Sequence, residues 1–100
     1  VSSNIMQNNA EEKGKFYVQT LENAVNTYCD MYKTNEVTLE ELTSEGLFKV
    51  ESSNGVSTKL TDATFSRNEN GTVKFFNGQD LIISVIINGT EYSCSKTECR

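Results

Sequence analysis

The chain of 100 residues has no histidine, tryptophan or proline, and only three cysteines. Without histidine, the Ser-His and Cys-His pairings that activate a nucleophile cannot be built. A structural zinc site draws four ligands, usually Cys and His, and three cysteines fall short of it. No Gly-rich phosphate loop stands between a strand and a helix. Long apolar runs are missing too. Spanning a bilayer takes about 18 apolar residues, whereas the longest run, Leu81 to Ile87, is interrupted by Ser84. Positive charge is scarce, with nine Lys and Arg against fourteen Asp and Glu, a net charge of −5. The cations are scattered rather than gathered in a stripe, which argues against direct nucleic-acid binding. These absences lead us to expect no enzyme and no cofactor.

What is present starts with a helical stripe. Tyr17, Val18, Leu21, Ala24, Val25, Tyr28, Cys29 and Tyr32 recur at three- and four-residue steps between Glu11 and Tyr32. Glu12, Lys15, Glu22, Asn23, Asn26 and Asp30 fall mostly on the other side. The pattern predicts a helix over about 5–33, whose first turns read either as a helical run-in or as a frayed end. Such a stripe cannot be buried alone and needs a sheet against it. Tyr17, Leu21, Val25 and Tyr28 are the expected helix side of that contact. Three tyrosines on one helix also make a conceivable stacking platform, but at helical spacing they read as core or subunit interface.

After a polar break at Lys33-Thr34-Asn35, Thr38-Leu39-Glu40-Glu41-Leu42 is a capping-box signature, with Gly46 placed to end the helix and Leu47 to close it. The segment 34–47 is therefore a loop with a short helix at 39–45. From Phe48 the period changes to two: Phe48 and Val50, Val56 to Leu60, Ala63 and Phe65, Val73 and Phe75, Leu81 to Val85, Tyr92 and Cys94. Asn54-Gly55, Asn70-Gly71, Asn77-Gly78 and Asn88-Gly89 each carry the type I′ hairpin signal. The expectation is an antiparallel meander over 48–100, giving a single α+β domain over 1–100. Ile83 and Val85 lie on the core face of its central strand, while Ile82, Ile86 or Ile87 is left to face a neighbouring subunit.

Other motifs resolve to ordinary structure. Glu11-Glu12 and Glu40-Glu41 read as solvated charge, since no apolar pocket surrounds them. Ser66 to Asn77 imitates a calcium loop but lacks its carboxylates, so a hairpin turn accounts for it. Asn70-Gly71-Thr72 and Asn88-Gly89-Thr90 match the glycosylation pattern, yet both coincide with turns. Cys94 and Cys99 make a candidate staple at the chain end. Closing that loop is worth about 2 kcal/mol in the chain-entropy model. It points to an oxidising location. Cys29 is left free, although a bridge from it to either C-terminal cysteine stays open. The polar start Val1-Ser2-Ser3-Asn4 has neither an initiator Met nor a signal peptide, and we read it as a start inside a longer or processed protein.

Lys15 to Val50 resembles the middle of a type IV pilin or pseudopilin. The carrying residues are Leu21-Glu22-Asn23-Ala24-Val25-Asn26-Thr27-Tyr28, then Thr38 to Leu42, then Gly46-Leu47-Phe48. The resemblance covers about a third of the chain as pattern and the rest as architecture. Glu36-Val37-Thr38 stands where the family usually has a proline. The resemblance implies a long N-terminal α-helix on a C-terminal antiparallel sheet, with a missing apolar segment ahead of Val1. It further implies a homo-oligomeric surface filament of the kind used in cell adhesion and twitching motility. Its subunits are anchored in the inner membrane before assembly and handled by pilus assembly machinery. Under it, Glu22, Asn26, Asn35 and Glu36 are the candidate subunit interface, and the headpiece alone stays monomeric. A small secreted binding or adhesion module is the alternative class.

Overall fold

The computed structural model describes residues 2–100, with side chains from Asn9 onward. Helix α1 (Ser2–Tyr32) runs the length of a molecule whose longest dimension is 47 Å. It is followed by β1 (Glu36–Thr38), α2 (Leu39–Ser44), β2 (Val56–Thr58), β3 (Thr64–Arg67), β4 (Val73–Phe75), β5 (Ile83–Ile87) and β6 (Thr90–Cys94). The class is α+β. The side chains of the first turns, read above as run-in or frayed end, lie outside the described residues.

The expected single meander is two sheets. One has the order β1-β3-β4 and the other β2-β5-β6, all pairings antiparallel, and α1 touches every strand. The segment 34–47 is correspondingly more than loop plus helix, because β1 lies in it and pairs Val37 with Phe65. Backbone bonds from Arg67 to Asn35 and from Leu39 to Ala63, both 2.9 Å, lengthen that pairing at each end. Phe48 to Val50 forms no strand. There the chain meets the second sheet only through an isolated bridge from Glu51 to Ser57.

Both helix ends close through local chemistry. At α2, Thr38 Oγ1 accepts from the Glu41 backbone N–H at 3.1 Å, and the Glu41 carboxylate accepts from the Thr38 N–H at 2.9 Å. Its other end has Gly46 at φ 72°. The Leu47 N–H reaches the Leu42 carbonyl at 3.0 Å, the Schellman pattern. Helix α1 ends in the same way with Lys33 at φ 56°, and the Thr34 N–H bonds the Cys29 carbonyl at 3.1 Å.

Of the four Asn-Gly pairs, only Asn88-Gly89 has positive φ at both residues, 51° and 88°, as a type I′ hairpin requires. It joins β5 to β6 with Ile87 opposite Thr90. At the other three only the glycine is left-handed, because longer loops suit a type I turn followed by one such residue. The calcium-loop imitation is the β3–β4 hairpin, in which Asn68 Oδ1 accepts from the N–H groups of Asn70 and Thr72.

The core is one cluster under α1. Leu21, Val25, Cys29, Leu42, Phe65, Val85 and Cys94 are wholly buried, and Tyr17 and Ile83 are buried. Each fully buried side chain of the Val, Leu or Phe kind contributes about 1.5–3 kcal/mol. Tyr28 is half-buried at the edge of that cluster. Of the isoleucines expected to face outward, Ile87 is buried and Ile86 half-buried, since both pack within the second sheet, while Ile82 is exposed.

Candidate functional site

Four features against α1 carry polar or unusual chemistry. The first is a notch at Gly14, which is buried in mid-helix. A Cβ there would fall inside contact distance of the Cys99 and Cys94 sulfurs. Those sulfurs stand at disulfide distance, and Cys99 Sγ rests 3.6 Å from the Glu11 carbonyl oxygen. The tail therefore lies directly on the helix backbone. It also covers the outer edge of β6, where Ser93 and Arg100 exchange backbone bonds of 2.8 and 2.9 Å. Cys29 is free and buried, and burial pushes its thiol pKa up.

The second feature is the seam where the two sheets meet over α1. It encloses a groove of about 250 Å³ floored by Val18 and Glu22. The half-buried Glu22 carboxylate accepts from the Val73 N–H at 3.5 Å and lies 3.5 Å from Lys96 Nζ, so one side chain touches both halves. Asn26 Nδ2 donates to the Gly71 carbonyl at 3.0 Å. Arg67 reaches back to Asp30 Oδ1 at 2.6 Å and to the Asn26 carbonyl at 3.3 Å. Glu22 and Asn26, placed by the sequence on the outer side of α1, thus face the β3–β4 hairpin and are used within the chain. Asn35 and Glu36 are exposed, and the Asn35 carbonyl serves the β1–β3 pairing.

The third is a tyrosine–carboxylate ladder between α1 and α2. Tyr28 donates to Glu41 at 2.9 Å and Tyr32 to Glu45 at 2.7 Å, with the two rings 4.5 Å apart. The Glu41 hydrogen bond raises the Tyr28 phenol to about 12. Glu41 is lowered, first by the Thr38 backbone N–H and then by Tyr28. Donor and acceptor are poised far apart, so this pair holds the helices together and exchanges no proton near neutral pH.

The fourth is an open groove of about 520 Å³ between α1 and the stretch 46–54. Tyr17, Leu47 and Phe48 form its apolar part, Phe16 stands 70% exposed at its rim, and Lys13, Lys49 and Glu51 charge its edge. Tyr17 donates to the Val50 carbonyl and packs edge-on to Phe48 at 5.2 Å. Burial, with the Glu51 charge adding, pushes the Tyr17 phenol up.

Sequence reasoning missed Gly14, Arg67 and the inward roles of Glu22 and Asn26. A glycine inside a strong helical pattern was the available signal for the first, since it costs helix stability without a packing reason. No group of three or more His, Cys, Asp or Glu converges to hold a metal among the described residues. No helix there is long and apolar enough to cross a membrane. Comparison with protein-family models, curated proteins and solved structures finds no match.

Proposed function

We propose that the chain is the headpiece of a pilin-like subunit that polymerises into a surface filament. The observation that carries this reading is α1 itself. It runs the full length of the molecule, both sheets pack along it, and its stripe and break coincide with the residues that resemble type IV pilins. On this reading, apolar helix preceding Val1 continues α1 and anchors the subunit in a membrane before assembly. The sheets and the disulfide-closed tail face outward. The role is structural rather than catalytic, and a pseudopilin of a secretion or competence system shares the same physics.

The test is the N-terminal sequence of the intact gene product. An apolar segment of about 20 residues running unbroken into α1 supports the subunit. A cleaved secretory signal ahead of Val1 overturns it in favour of a secreted binding module.

A further inference from the structure

Two of the surface patches outside the core, seam and notch are opposite in net charge. One is the groove beside the N-terminal half of α1. Its rim has exposed Phe16, and neither Lys13 nor Lys49 is ion-paired among the described residues. Unpaired cations gathered at a groove stand out in a chain of net charge −5. Glu51, also on that groove, leaves it with a single net positive charge.

The second patch lies at the far end of α1. There Tyr32, 49% exposed, reaches Glu45, Glu40 and Glu41 lie beside Tyr28, and Met31 is 55% exposed one residue before Tyr32. Two of these carboxylates accept from phenols, which leaves their negative charge in place. Each patch combines exposed apolar area with a net charge, and the two net charges are opposite, as in the two halves of one contact. Lys13 and Met31 are about 27 Å apart along the axis at the rise of an α-helix. One copy therefore does not bring its own Lys13 to that end, although Lys49 stands four residues from Glu45.

We infer that the patches meet between copies: the Lys13–Phe16–Lys49 groove of one chain receives the Met31–Tyr32–Glu40–Glu45 end of another. From the filament reading this takes only the parallel alignment of the copies. A contact between unlike patches of parallel copies is heterologous, so it propagates instead of closing. Charge selects it, since two acidic ends brought together repel. The contact is weak for free headpieces. It becomes effective when joined helices hold copies side by side and raise their local concentration.

The test mixes ¹⁴N and ¹⁵N copies of the chain at millimolar concentration, couples Lys to carboxylate with a zero-length carbodiimide, and maps the linked peptides by mass spectrometry. Mixed-label links from Lys13 or Lys49 to Glu40, Glu41 or Glu45 are expected. Their yield falls severalfold as salt rises from about 0.01 M to about 1 M and the Debye length shrinks from about 30 to about 3 Å. A Lys13→Glu/Lys49→Glu chain loses the mixed-label links when ¹⁴N and ¹⁵N copies of that variant alone are mixed. It regains association with a Glu40→Lys/Glu45→Lys chain, the circular dichroism of each variant confirming its fold. Absent or scattered mixed-label links, a salt-independent yield, or no rescue by the swapped pair overturns the inference. The readout needs no residue ahead of Val1, so it stands or falls separately from the filament reading.

Discussion

The two sheets are attached to the same helix by different means. The β2-β5-β6 sheet is held by a row of aliphatic side chains, Ile83, Val85 and Ile87, and by sulfurs seated over Gly14. The β1-β3-β4 sheet has short strands and centres on one large ring, Phe65, stacked on Phe75 at 5.9 Å. Polar links complete it: Glu22 to Val73, Asn26 to Gly71 and Asp30 to Arg67. One sheet is held by a row of aliphatic side chains and closed covalently, while the other buries one large ring between Val37 and Val73 and relies on hydrogen bonds for orientation. Loss of a single core side chain should therefore loosen its own sheet before the other.

Phe65→Ala is the largest expected effect, about 3–5 kcal/mol, against about 2–5 kcal/mol for Ile87→Ala in the other sheet. Hydrogen exchange on Phe65→Ala should show amides of β1, β3 and β4 losing protection before those of β5 and β6. Equal loss across all strands would make the two sheets one cooperative unit and end the distinction.

Gly14→Ala sharpens the comparison because its sign depends on the disulfide. With Cys94 and Cys99 joined, the added methyl group overpacks the notch and destabilises by about 1–3 kcal/mol. Reduction should cost the wild type about 2 kcal/mol. Once the tail is released, the same substitution should become stabilising by up to about 1 kcal/mol through helix propensity. Urea midpoints of both proteins with and without a dithiol reductant give the four values needed. A penalty that survives reduction unchanged would show that the tail is not what crowds Gly14.

The two sheets also differ in how much of them the sequence discloses. The β5–β6 hairpin is written in adjacent residues, as apolar alternation from Leu81 and a two-residue Asn88-Gly89 turn. Helix α2 is equally local, since its cap, its apolar pair and its terminating glycine all lie within ten residues. The other sheet depends on arrivals from far along the chain. β1 is three residues long, too short for a period to register, and is a strand only because β3 comes beside it. Glu22 and Asn26 sit on the flank of the helical stripe, where the β3–β4 hairpin turns a polar position into an internal one. Residue spacing on one element cannot encode what docks on it.

A smaller effect tests the polar side of the comparison. Asp30→Asn removes an ion pair whose Asp30 end is 74% exposed while Arg67 is 18% exposed. Solvent screening holds the loss below about 1 kcal/mol. High salt should shrink the difference from wild type, as measured by paired urea titrations, and a loss of several kcal/mol would mean Arg67 acts as a buried, unscreened charge.

The smallest effect, in the Tyr28–Glu41 link, has the most specific pH signature. The Tyr28 phenol is raised from 10.0 to about 12 in the folded chain, so its contribution is complete below pH 10.0 and disappears as pH rises through about 12. Glu41 is lowered from 4.5, so its contribution is present above pH 4.5 and is lost as pH falls through its folded value. Between those limits the stability difference between wild type and Tyr28→Phe should be flat. On the alkaline side it should vanish by about pH 12. On the acid side it should shrink only in part, because Thr38 still donates to Glu41 in the variant. A wild-type phenol titrating at the ordinary value in ultraviolet absorbance, or a difference that persists past pH 12, would mean that the Tyr28 proton does not hold α2 to α1, leaving that to Tyr32–Glu45 and the buried Leu39 and Leu42.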